Sequence, residues 1–405
     1  MRTIPTILTV SAVLAMSLTA CSGDSETDSA ASGSPASSVT PTEQRSASPR
    51  LAAAYDGGVQ IYDATDLSSV ADLPLEGFVR LNPAGDDRYV FASTADGFEL
   101  IDMGSWSEAH GDHSHHYTVQ PRLTGIDYAA EKPGHVVVHD GRTTLFDDGT
   151  GTVRVLDTGK LGTPDAVIDE FTVPAHHGVA VARADGSVVI SVGDEDSRSG
   201  LQIRGADGKT LAENDSCPGL HGEGAAAGGA LTFGCEDGAL LVRGEQITKI
   251  TAPDPYARLG NQAGDEDSPV VLTDYKTDKD AELERPRRFA LIDTVAGTIT
   301  PHPIDATYSF RSLGRGRGGE AVLLGSDGAL HVFDTAGRRT AHYPVIDAWT
   351  EPDDWQEAMP VLEVIDDVAY VSDPATEKLY AVGLDDGKTL AQAGTPGELF
   401  ELTGA

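Results

Sequence analysis

Leu51-Ala52-Ala53-Ala54-Tyr55-Asp56-Gly57 passes through one more glycine into Val59-Gln60-Ile61-Tyr62-Asp63. The first run is apolar, the second alternates apolar with polar, and an acid followed by glycine divides them. Glycine supplies the left-handed backbone of a tight turn, so the stretch predicts two antiparallel strands joined as a hairpin.

The unit recurs along the chain. Tyr89-Val90-Phe91 leads through Asp96-Gly97 into Phe98-Glu99-Leu100-Ile101-Asp102, and Thr144-Leu145-Phe146 through Asp148-Gly149 into Val153-Arg154-Val155-Leu156-Asp157. Val188-Val189-Ile190, Leu231-Thr232-Phe233, Val270-Val271-Leu272, Ala321-Val322-Leu323-Leu324 and Ala369-Tyr370-Val371 each open a further copy. The turns fall near 56, 96, 148, 195, 237, 280, 327 and 375, in steps of 40 to 52 residues. Hairpins on that period, with no helical pattern long enough to compete, predict an all-β fold. The expected form is a single β-propeller over residues 50–405, with eight blades of four antiparallel strands. Seven blades, or two unrelated β domains, are the competing readings.

Each quoted pair is read as the second and third strands of its blade. The short segment upstream is then the innermost strand, as in Val79-Arg80-Leu81, His135-Val136-Val137-Val138 and Val179-Ala180-Val181. For the first blade, Leu399-Phe400-Glu401-Leu402 is expected to supply that strand and close the ring, which removes an unpaired edge.

The 405 residues carry 64 Asp and Glu against 29 Lys and Arg, a formal charge of −35, with 45 glycines. Such an acidic surface repels phosphate and excludes a nucleic-acid binder. It also favours a soluble monomer. Only one apolar run approaches membrane length, at the N-terminus, so a polytopic membrane protein is excluded.

That run reads as an export signal over residues 1–21. Arg2 begins it, Ile7 to Leu18 form its apolar part, and Leu18-Thr19-Ala20-Cys21 resembles a bacterial lipobox. The expectation is acylation at Cys21 and a location on the cell membrane, lipid-anchored on the extracytoplasmic face. Residues 22–49 contain one large apolar side chain, Val39, among Ser, Thr, Ala, Pro, Gly and charges. This composition predicts a disordered tether. In an oxidising compartment the remaining pair, Cys217 and Cys235, reads as a disulfide, with thiolate metal ligands as the alternative.

Nine of the 12 histidines lie between positions 110 and 221. His135, His177 and His221 fall at the start of the innermost strand in three consecutive repeats, 42 and 44 residues apart. In a propeller those strand starts gather around the mouth of the central channel, so three imidazoles from neighbouring blades would share one space. Imidazole is a good ligand for Zn²⁺, and three nitrogens with a carboxylate or water complete a tetrahedral set. His139 and His176 flank the same strands, and Glu223, Glu236, Asp237 and Asp140 are candidate carboxylates. The alternative is that each histidine merely caps its strand.

His110-Gly111-Asp112-His113-Ser114-His115-His116 is a different object. Short tracts rich in His and Asp bind first-row metals loosely, which suits capture or hand-off. The tract is expected to be a loop between blades two and three. No Gly-x-Ser-x-Gly elbow, His-Glu-x-x-His helix or phosphate-cradling glycine loop occurs, so the chain does not read as an enzyme. A metal-dependent propeller hydrolase or lactonase and a metal-free interaction scaffold are the alternatives.

With these residues laid out, the chain resembles the extracytoplasmic zinc metallochaperones associated with zinc ABC transporters, the AztD type. The resemblance rests on Gly104-Ser105-Trp106 through His116, Gly134-His135-Val136-Val137-Val138-His139-Asp140-Gly141-Arg142, Ala175-His176-His177-Gly178-Val179-Ala180-Val181 and Cys217-Pro218-Gly219-Leu220-His221-Gly222-Glu223. It implies an eight-bladed propeller that binds zinc and passes it to the solute-binding protein of the transporter. It also implies a mobile His-rich segment, matched here by residues 110–116. The lipobox departs from the family pattern.

Overall fold

The computed structural model describes residues 40–404. The signal segment 1–21, Cys21 and the tether as far as residue 39 lie outside the described residues.

Eight four-stranded antiparallel sheets follow one another, and each is wound from its innermost to its outermost strand. Blade three, for example, runs Pro133–His139, Arg142–Asp147, Thr152–Asp157 and Val167–Thr172. The fold is a β-propeller, and the count of eight holds. Blade one closes as the repeat predicts. Leu399–Gly404 pairs antiparallel with Arg50–Tyr55, with Leu51 opposite Gly404 and Ala53 opposite Leu402.

Burial explains the strand patterns. Middle strands such as Ala321–Leu324 and Ala329–Phe333 are buried throughout, because both faces of each sheet are covered by neighbouring blades. Outer strands such as Thr389–Gly394 keep an exposed face and alternate. The core therefore lies between blades: Ala52 and Ile61 of blade one pack with Val90 and Ile101 of blade two.

Two expectations are corrected. The His-rich stretch is not a loop between blades. Ser105–His110 and His113–Thr118 form a hairpin inside blade two, inserted between its third strand, Gly97–Asp102, and its fourth, Arg122–Ala129. The tether also ends sooner than composition suggested. Thr42–Gln44 forms a strand on the open edge of that hairpin, with Thr42 opposite Thr118 and Gln44 opposite His116. Three polar residues are held there by backbone hydrogen bonds, which hydrophobicity does not register. The reading of Cys217 and Cys235 as a disulfide holds, with their Cα atoms 5.0 Å apart.

Candidate metal centre

Irregularities in the inner strands aim the three histidines. His135 lies in a break of register between Pro133 and Val136, and a second break separates His221 from Glu223. Bulges of this kind turn a side chain away from the pleat. At Gly222 the backbone is left-handed (φ +70°), and a Cβ would meet the Gly260 carbonyl at 2.5 Å. Only glycine allows the turn that swings His221 toward the ring mouth. His177 stands just before Ala180–Ala182, the inner strand of blade four.

The three rings meet. Their centroids lie 5.1 Å (His135–His177), 5.5 Å (His135–His221) and 5.0 Å (His177–His221) apart. One nitrogen from each lies within 4.8 Å of the others, and the Nε2 atoms of His177 and His221 are 3.0 Å apart.

Every Nδ1 is already engaged: His135 with the Gly178 carbonyl at 2.8 Å, His177 with Asp148 Oδ2 at 2.5 Å, His221 with the Gly260 carbonyl at 2.5 Å. An acceptor at Nδ1 keeps the proton there and leaves the Nε2 lone pair for a metal, with the ring orientation fixed in advance. Burial pushes the His135 imidazolium down to about 3, with the neighbouring His221 and His177 adding to the fall. Burial likewise pushes His221 to about 3. Both rings are neutral at physiological pH, the form that binds metal.

His177 is half exposed, and beside it opens a cleft of about 650 Å³ lined by Asp194, Arg198, Asp215 and Glu236. Among the described residues no carboxylate joins the three nitrogens within ligand distance. The arrangement offers a first-row divalent ion three imidazoles and one position open to water or an incoming ligand.

The remaining candidates have other partners. His176 is buried, held by the Pro174 carbonyl and Ser191 Oγ and packed against Phe146. His139 lies at the far end of its strand, bonded to Glu266 at 2.7 Å. Glu223 lines a separate cavity of about 550 Å³ with His139, Gln262 and Glu266, where burial raises its carboxyl to about 7. Asp237 pairs with Lys249, Asp140 accepts from the Ala184 amide, and Glu236 stays in the outer cleft. Asp148 is the residue of this candidate site that spacing in the sequence did not mark. Its only mark in the sequence was its place in the Asp-Gly turn of the third repeat.

The blade-two hairpin makes a second cluster. Strand alternation puts His110, His113 and His115 on one face, with ligand nitrogens within 4.8 Å of one another. His115 Nδ1 is bonded to Glu43 of the N-terminal strand at 2.7 Å, and His113 to Asp112. His116 points to the opposite face and bonds Ser107 Oγ.

No family model matches the chain. Among curated proteins it is similar to the zinc chaperone AztD of Citrobacter koseri, with 24% identity over 362 residues, 85% of this chain and 83% of that protein. The structure of apo AztD from Citrobacter koseri superposes with a TM-score of 0.77 at 22% identity, covering 89% of this chain and 98% of that one. The dihydro-heme d1 dehydrogenase NirN has the same general fold, with a TM-score of 0.59 at 13% identity, covering 90% and 77% of the two chains. The resemblance first carried by four histidine-bearing phrases thus extends over nearly all of the propeller: this chain is similar to a protein named as a chaperone rather than as an enzyme.

Proposed function

We propose that this protein is an extracytoplasmic zinc carrier that delivers its ion to the solute-binding protein of a zinc ABC transporter. The observation that supports this best is the convergence of His135, His177 and His221 with every Nδ1 anchored. Such a site binds tightly because its geometry is set before the ion arrives. It releases by ligand exchange, because an incoming imidazole or carboxylate can enter at the open position. The similarity to a zinc chaperone supports zinc as the ion.

In this reading the hairpin histidines 110, 113 and 115 collect or relay the ion at the surface. The protein acts as a monomer, exported by residues 1–21 and anchored by lipid at Cys21. Its acidic charge attracts cations to the site.

Equilibrium dialysis of the metal-free protein against Zn²⁺, with His135, His177 and His221 each replaced by Ala, tests the site. Each variant should lose at least tenfold in affinity, and unchanged binding in all three would reject it. Transfer is tested by mixing the loaded protein with the metal-free solute-binding protein. Transfer no faster than release to a chelator would reject the carrier role.

A further inference from the structure

Blade seven brings together a further set of ligand-type side chains. His331 lies in its third strand, Ala329–Phe333, and His342 in its fourth, Arg339–Pro344, as direct register partners. Their rings meet edge to face, centroids 4.7 Å apart. Asp327, in the turn entering the third strand, reaches both. His331 Nε2 is 3.1 Å from each carboxylate oxygen, and His342 Nε2 is 3.2 Å from Oδ2. Around zinc, with bonds of about 2.0–2.1 Å, tetrahedral neighbours stand about 3.3 Å apart. The observed spacings match that separation, and all three ligand atoms fall within 4.8 Å of one another.

Two features set this group apart from a surface ion pair. The His331 side chain is 0% exposed, and its ring is held with Nε2 facing the Asp327 carboxylate. The backbone also makes room for the cluster. A Cβ at Gly325 would come within 2.3 Å of Asp327 Oδ1 and 2.8 Å of His331 Nε2, and Trp349 Nε1 donates to the Gly325 carbonyl and holds that segment close. Asp327 and His342 are 40% and 43% exposed, which gives an ion a path from solvent.

We propose that Asp327, His331 and His342 form a divalent-metal site separate from the three-histidine mouth, taking zinc or a similar first-row ion through two imidazole nitrogens and one carboxylate oxygen, with water completing the set. The site stands whether or not the mouth binds zinc. Its position follows from the winding of the ring. Asp327 occupies the turn between the second and third strands of its blade, and the matching turn of blade three carries Asp148, which touches His177. Both sites therefore open on the same face.

Zinc retained by the full-length protein after exhaustive dialysis, measured by elemental analysis, tests the assignment. His342→Ala and Asp327→Asn should each hold one equivalent fewer than the unsubstituted protein. His177→Ala should lose a different equivalent, and the His177→Ala/His342→Ala pair should lose both. Cobalt(II) titration followed by its visible ligand-field bands gives an independent count, and melting curves confirm that the half-exposed His342 position tolerates alanine. Full zinc and cobalt complement in both His342→Ala and Asp327→Asn would overturn the proposal. If the mouth does not bind metal, His177→Ala has no effect, while His342→Ala still removes one equivalent.

Discussion

At the scale of single residues, the decisive contacts are those behind the three clustered imidazoles. His177 owes its orientation to Asp148, and His135 and His221 owe theirs to backbone carbonyls. Removing such a support commonly costs about 10–100-fold in metal affinity. Asp148→Asn is therefore expected to weaken zinc binding within that range while leaving the melting temperature of the metal-free protein nearly unchanged. Competition against a fluorescent chelator measures it. The meeting of His135, His177 and His221 was legible in the sequence because a repeat of known period turns spacing into position. Asp148 was not, because its role depends on how far the turn of one blade leans toward the next. The blade-seven histidines were equally obscure, since within one strand pair they read as ordinary members of alternating strands.

Between residue and ring stand the elements that brace the mouth. The Cys217–Cys235 bond ties the segment leading into His221 to the end of Ala230–Gly234, the second strand of blade five. Closing a loop of this size contributes about 3 kcal/mol. The double change Cys217→Ser/Cys235→Ser should lower unfolding free energy in urea by about that amount and weaken zinc binding, because the chain before His221 gains freedom. In the proposed carrier the inserted hairpin serves delivery and the three-histidine mouth serves binding. Replacing His110, His113 and His115 with Ser should leave the affinity of the mouth intact while slowing transfer to the solute-binding protein, read by stopped-flow mixing. Composition marked this hairpin as metal-seeking. Its place within blade two stayed hidden, because nothing in Arg122–Ala129 announces that it returns to pair with Gly97–Asp102.

The whole ring is knit at its centre by charge. Glu401, on the closing strand, meets Arg80 of blade two at 2.6 Å and Arg311, at the entrance to blade seven, at 3.0 Å. The Arg311–Glu401 pair is buried on both sides. Stranding a buried guanidinium costs about 3–5 kcal/mol, so Glu401→Gln should lower the urea midpoint accordingly. Glu363, on the inner strand of blade eight, is raised from 4.5 to about 7 by burial, opposed by the Gly404 amide and reinforced by Glu401. Between those pH values the unfolded carboxyl ionises while the folded one keeps its proton. Stability is thus full below pH 4.5, drains as pH rises through about 7, and levels off above. Glu363→Gln should melt a few degrees higher than the parent at pH 8 and level with it at pH 4, a difference calorimetry resolves. Blade number and ring closure were legible because eight hairpins keep one period. The charges that cross the centre were not, since each partner comes from a different blade.

The pairing of Leu399–Gly404 with Arg50–Tyr55 has a consequence for biogenesis. A ribosome or an export channel releases the chain from its N-terminus, so the first sheet must wait, one strand short, until nearly everything else has emerged. Contacts this distant along the chain form slowly. Maturation of the ring therefore has a built-in final step, the docking of one short strand, and until that step the nascent molecule presents an unprotected edge to quality-control machinery.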